Sequence, residues 1–264
     1  MTETGPKTTP EGTTLAADVE TPAVIARGGG PTRRLTVVEA HDLTPHMRRV
    51  SFVFNAVDTF AYEPGQALLL AVPLADGGWG RRDYTIRSLD RNTGRLDIDF
   101  VLHGDAPGAG WARSAKPGDV LLARGPRGNT VFDPDADWHL LVGDEACIPA
   151  LFHILEEMPE GTPAKVFIEV GNEADEQPVD TAAAIELVYV HRTAAKAEDD
   201  TNLFDHLEAF PLPDGTGRAY VIGETGKVRQ MRRRLIERGL AKEQISAEGY
   251  WRPGRIGGHD HIRD

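Results

Sequence analysis

The chain has 264 residues, 40% hydrophobic and 27% charged, with a formal net charge of -12. That is enough for two domains of ordinary size, and the wrong sign for a nucleic-acid binder, which carries a basic face. A single cysteine, Cys147, excludes an intramolecular disulfide and any multi-cysteine zinc or iron–sulfur centre. With no apolar run of about 18 residues and no basic-then-apolar leader, a cytoplasmic monomer without a membrane span is expected.

Residues 1–31 are rich in Thr, Pro, Gly and Glu and end in Gly28-Gly29-Gly30-Pro31. They offer little to bury, so a flexible leader is predicted. Residues 32–136 break into six strand-like runs, at 34–40, 49–55, 66–72, 83–88, 94–103 and 119–124. In the fifth, Leu96, Ile98, Phe100 and Leu102 alternate with Arg95, Asp97, Asp99 and Val101, the period of a strand with one buried face. Six such strands, with one short helical insert near 110–114, predict a small antiparallel barrel.

Residues 137–256 change rhythm. Strand-like runs at 139–142, 165–170, 186–191, 218–223 and 245–251 alternate with helical stripes such as Leu151, Ile154, Leu155 and Met158, or Val228, Met231 and Leu235. This is the βαβ pattern of a mostly parallel sheet. Residues 257–264, which include His259 and His261, are expected to be a disordered tail rather than a metal site.

Four segments carry chemistry. Arg82-Asp83-Tyr84-Thr85 offers, in order, a forked cation for a phosphate, an aromatic on the same strand face and a hydroxyl for a ring nitrogen. An ordinary strand would also favour Tyr-Thr. From Asp99 through His103 to Gly110-Trp111-Ala112, a strand runs into a Gly/Pro turn that lets backbone N–H groups approach a pyrophosphate; Trp111 also suits a half-buried core position. The turn from Val142 to Ala150 has the strand-to-helix form of a nucleotide site but is not G-x-G-x-x-G, and Asp144 and Glu145 oppose a pyrophosphate. Gly249-Tyr250-Trp251-Arg252-Pro253-Gly254 ends the last strand with two aromatics that can cover a ring or seal the domain. The basic run Lys227–Arg234 leans toward a 2′-phosphate or reads as a solvated helix face.

Taken in order, R-R-D-Y-T-I-R, D-x-V-x-H-G with G-W-A, V-G-D-E-x-x-x-P-A, I-G-E and G-Y-W-R-P-G resemble the siderophore-interacting proteins, ferric-siderophore reductases of the ferredoxin–NADP reductase superfamily. The resemblance spans about 32–256 and implies a six-stranded Greek-key barrel that binds FAD, followed by a parallel α/β domain for NADH or NADPH. It implies that Arg82, Tyr84 and Thr85 hold the flavin, and that Asp99, Val101, His103, Gly110, Trp111 and Ala112 hold its ribityl and pyrophosphate. Asp144, Glu145 and Pro149, with Glu224 facing them, would meet the nicotinamide nucleotide, while Tyr250 and Trp251 match the terminal aromatics. Where the family commonly reads G-D-E-T-A-L-P-A, this chain has Ala146, Cys147 and Ile148, which leaves NADH, NADPH and ferredoxin open as donor. Arg48, Arg252 and Arg255 are candidate contacts for an anionic ferric siderophore. The rival functions are a flavin reductase exchanging electrons with a protein such as ferredoxin, and a siderophore-binding protein without turnover.

Overall fold

The alternating apolar residues of the N-terminal half bury one face of a seven-stranded antiparallel sheet in the computed structural model, which describes residues 22–26, 31–55, 57–102, 104, 106–192, 202–255, 257 and 260–262. A helical turn, α1 (Ala23–Ala26), precedes strands β1 (Arg33–Thr44), β2 (Met47–Val53), β3 (Ala67–Pro73), β4 (Trp79–Thr85), β5 (Ser88–Asp90), β6 (Arg95–Val101) and β7 (Val120–Arg127). Their order is β4-β3-β7-β1-β2-β6-β5. The sheet curls around Leu35, Phe52, Leu70, Leu96, Ile98 and Phe100 into the expected barrel-like half.

Two details differ from the sequence expectation. The run 83–88 is broken after Thr85: Ile86 turns into the core, and Ser88–Asp90 pairs separately with β6, giving a seventh strand. Part of the expected leader is also ordered. Ile25, 1% exposed, packs with Ala71 and Leu122, because Ala23-Val24-Ile25-Ala26 is a short apolar run hidden in a polar segment.

Between β6 and β7 lies helix α2 (Pro107–Ser114), which begins with proline in its first turn. The second half contains β8 (Trp138–Asp144), α3 (Ile148–Glu156), β9 (Pro163–Val170), β10 (Ala184–His191), α4 (Asn202–Ala209), β11 (Gly217–Glu224), α5 (Thr225–Glu237), β12 (Ile245–Trp251) and β13 (Asp260–His261). The sheet order is β10-β9-β8-β11-β12-β13, parallel except for β13. Every residue of β8 is buried, as a central strand covered by helices on both faces requires. Strand order reverses between β8 and β11, and that reversal opens a crevice at the strands' carboxyl ends. Asp260 and His261 of the expected tail pair with Gly249 and Glu248 and so extend the sheet.

Helix α3 joins the halves. His153 donates from Nδ1 to the Ile86 carbonyl at 2.7 Å, and Glu156 receives a bidentate pair from Arg87 at 2.6 and 2.5 Å. Both contacts grip the segment just after β4. Among the described residues no helix is long and apolar enough to cross a membrane.

Candidate functional site

Five consecutive residues, Arg81 to Thr85, line a cavity of about 450 Å³ between the two halves. Side chains alternate along a strand, so a continuous run lines one space only where the strand's open edge faces it. β4 is an edge strand, hydrogen-bonded to β3 alone among the described strands. Its second row of N–H and C=O groups is therefore available to a flat heteroaromatic.

Tyr84 lies against Phe100 with ring centroids 4.3 Å apart. Its hydroxyl abuts Gly108 in the first turn of α2, where any Cβ would collide with it. Burial pushes the Tyr84 pKa to about 12 against the pull of Arg82, so the phenol stays neutral. Thr85 is 6% exposed and hydrogen-bonds the Tyr250 hydroxyl, whose pKa burial also raises. Trp251 is held by its indole Nε1, which donates to Asp144 Oδ2 at 2.8 Å.

The cavity is basic although the chain is acidic. Arg81, Arg82, Arg252 and Arg255 face it against two carboxylates, Asp83 and Asp99. Both acids have cationic partners: Asp99 is gripped by Arg49 at 2.7 and 2.8 Å, and Asp83 pairs with Arg127 at 3.3 Å. Arg252 is shared with Asp260 at 2.6 Å. Aromatic walls, an open strand edge and surplus guanidinium charge fit a flavin carrying a pyrophosphate.

Of the predicted cofactor residues, Arg82, Tyr84, Thr85, Asp99 and Val101 line this space together with Pro149, Tyr250 and Trp251. Arg252 and Arg255 line it too, but Arg48 does not: it pairs with Asp42 across the β1–β2 hairpin at 2.5 Å. Gly110, Trp111 and Ala112 stand apart. Trp111 packs on Phe52 and Phe100 at 6.1 and 5.6 Å and Ala112 is buried in the barrel core, so these two seat α2, Gly110 is exposed, and the cavity face is left to Ala106 and Gly108. His103 lies outside the described residues. Sequence reasoning missed Ala67, Arg81, Ala106, Gly108 and Gly257, and named Ala146 only as a departure from the family turn. The doubled Arg81-Arg82 and the earlier glycine of Gly108-Ala109-Gly110 were the available signals.

The expected nucleotide carboxylates are already engaged. Asp144 accepts from the Ala146 N–H at 2.9 Å and the Glu224 N–H at 3.0 Å, besides Trp251. Burial and the adjacent Glu145 raise its pKa to about 6, against the Trp251 hydrogen bond and the Arg192 charge. Glu145 forms a bidentate pair with Arg192 at 2.6 and 2.5 Å. Glu224 caps α5, accepting from the N–H groups of Gly226 and Lys227 at 2.8 Å each.

Residues 136–254 match the family model described as siderophore-interacting protein, and residues 75–130 match that of the siderophore-interacting FAD-binding domain. The chain is 33% identical over 205 residues to the ferric vibriobactin reductase ViuB of Vibrio cholerae, covering 73% of this chain and 75% of that one. The crystal structure of a siderophore utilization protein from T. fusca superposes with a TM-score of 0.79 at 33% identity, over 88% of this chain and 96% of the other. A ferredoxin NADP+ reductase from Neisseria gonorrhoeae, at 16% identity and a TM-score of 0.64 over 84% of this chain and 100% of the other, shares the fold.

Proposed function

Because this chain belongs to the siderophore-interacting protein family, we propose that it is an FAD-dependent oxidoreductase that reduces ferric siderophores and releases Fe(II), with NAD(P)H as electron donor. The observation that carries this reading is the basic, aromatic-walled cavity along the open edge of β4. Residues 32–136 serve as the FAD-binding half and 137–256 as the donor-binding half. A cytoplasmic monomer fits a supply of reduced nicotinamide.

FAD, when bound, accepts two electrons together and releases them singly, as conversion of Fe(III) to Fe(II) requires. The chain supplies binding and orientation. Arg81 and Arg82 would hold the pyrophosphate, Tyr84 and Trp251 would exclude water from the ring, and the β4 edge with the Thr85 hydroxyl would meet its polar rim. Tyr250 orients that hydroxyl. No side chain needs to transfer a proton. Arg255, with Arg252 and Arg81 at the same mouth, would draw in an anionic ferric siderophore. Reduction weakens the grip of hard oxygen chelators on the metal. A second reading, with a reduced acidic protein such as a ferredoxin as donor, is favoured by the same basic rim.

Anaerobic mixing with NADH or NADPH, ferric siderophore and a ferrous trap tests the donor. Bleaching of the flavin followed by trapped Fe(II) is expected. Failure of both nucleotides to bleach it would remove NAD(P)H and leave the protein donor. The cofactor site has its own test: Arg82→Ala with Tyr84→Ala should give colourless protein with an unchanged far-UV spectrum. Stoichiometric FAD in that double variant would overturn the assignment.

A further inference from the structure

Two cavities flank the turn that follows β8. Ala146 and Pro149 face the larger one, and Glu145 faces a smaller one of about 170 Å³. Gly171, Asp175 and Gln177 after β9, Arg192 after β10 and His46 from the β1–β2 turn line the smaller space. We propose that this smaller cavity is the subsite for the ribose of an adenosine moiety, and that its carboxylates, Asp175 and the Glu145 that holds Arg192, exclude a 2′-phosphate, making NADH the donor. The inference rests on the reading that a nicotinamide nucleotide supplies the electrons.

Topology gives the first argument. In doubly wound sheets a dinucleotide lies across the strand ends where the order reverses, with the adenosine ribose at the end of the second strand. A carboxylate there meets the ribose hydroxyls, whereas a nearby arginine accommodates a 2′-phosphate. Here β8 is the first strand and β9 the second. The two cavities, one on each side of the β8 turn, correspond to the two halves of such a ligand. The larger, beside Trp251 and Thr85, suits the nicotinamide end. The smaller lies at the end of β9.

The lining gives the second. Asp175 is 4% exposed, with Oδ1 2.8 Å from His46 Nδ1 and Oδ2 accepting from Asn172 Nδ2 at 3.3 Å. A carboxylate offers about four acceptor positions, so capacity remains for sugar hydroxyls. Gln177 lines the space, and its buried amide nitrogen has no hydrogen-bond partner among the described residues. A ligand oxygen would satisfy it.

Charge gives the third. From Gly171 to His191 the chain carries Glu173, Asp175, Glu176, Asp180 and Glu186 and no lysine or arginine. Arg192, the arginine at the cavity, is clamped by Glu145 through both terminal nitrogens and by Glu169 through Nε at 2.5 Å. Lys227 is drawn to Glu169 at 3.2 Å. The basic run that suggested a 2′-phosphate in the sequence continues along α5, after β11, on the other side of the order reversal. A dianionic phosphate would therefore meet Asp175, while the one arginine lining the space is already shared between Glu145 and Glu169.

Calorimetric titration of the intact flavoprotein with ADP-ribose and with 2′-phospho-ADP-ribose tests the site without turnover. ADP-ribose should bind about tenfold or more tightly than its 2′-phosphate, the scale of an unrelieved like-charge contact. Asp175→Asn should narrow that ratio several-fold, and Gln177→Leu should weaken ADP-ribose several-fold at an unchanged far-UV spectrum. Equal binding of the two probes, tighter binding of the 2′-phosphate, no binding of either, or a ratio unmoved by Asp175→Asn would overturn the proposal. If ADP-ribose binds through Asp175 but neither NADH nor NADPH bleaches the flavin, the subsite stands and the donor reading falls. If NADH and NADPH bleach it equally while both probes bind alike, the donor reading stands and the subsite falls.

Discussion

His139, the second residue of β8, lies between the rings of Phe132 and Tyr220, with centroids 5.3 and 6.0 Å away, and neither of its nitrogens has a hydrogen-bond partner among the described residues. Burial lowers its pKa below 6.5. Between that depressed value and 6.5 the unfolded chain binds more protons than the folded one, so this residue makes stability fall as pH drops below about 6.5. Asp144 acts in the opposite direction. Its pKa, raised to about 6, lets the folded state bind more protons between about 4 and 6, so its contribution declines as pH rises through that window. The difference between wild type and His139→Phe isolates the histidine. Thermal melts should show the variant more stable by about 1 kcal/mol, from loss of an unsatisfied polar ring, with a flatter acid limb below pH 6.5. An unchanged acid limb would mean that His139 is not the titrating group. At this scale the sequence was legible where a residue type is its own signal, as in Arg82, Tyr84, Thr85, Tyr250 and Trp251. It was not legible how Asp144, Glu145 and Glu224, expected as nucleotide contacts, are held by partners within the chain. Those partners, Trp251 and Arg192, lie 107 and 47 residues away, and the α5 N-terminus needs the fold to define it.

Helix α3 is one element that ties the halves together, and it does so at the segment that follows the cavity strand. Arg87, with a side chain 12% exposed, is fixed by Glu156 and lies 3.8 Å from Asp99, which itself lines the cavity. Glu156→Ala should strand the Arg87 guanidinium and cost about 2 kcal/mol in a urea melt, the value of a charge-assisted pair. It should also speed flavin loss on gel filtration, because the Thr85 end of β4 loses its anchor. A stability loss without any change in flavin retention would show that α3 supports the fold but not the site. Regular elements were legible from periodicity: the alternation of 95–102 became β6, and the apolar stripe after Pro149 became α3. The break after Thr85 was not, since Ile86 is β-favouring and only the core calls it inward. Nor was α1, whose four residues are too short for a period and gain stability only by docking Ile25.

The whole molecule sets a basic cavity in a chain of net charge -12. Long-range repulsion of an anionic chelate is thereby reversed only near the mouth, within about 10 Å at 0.1 M salt. The apparent affinity for an anionic ferric siderophore should therefore weaken several-fold as ionic strength rises, while that for an uncharged one barely changes. Equal salt dependence for both would remove Arg252, Arg255 and Arg81 from substrate capture. The most direct measurement dispenses with the donor altogether. Reduced holoprotein, prepared photochemically without oxygen, is mixed with a ferric siderophore and a ferrous trap while flavin absorbance is followed. The flavin should reoxidise as trapped Fe(II) appears, at about two per FAD. A flavin that stays reduced beside an intact ferric chelate, in protein that still binds that chelate, would contradict the reductase and leave a binding protein in its place.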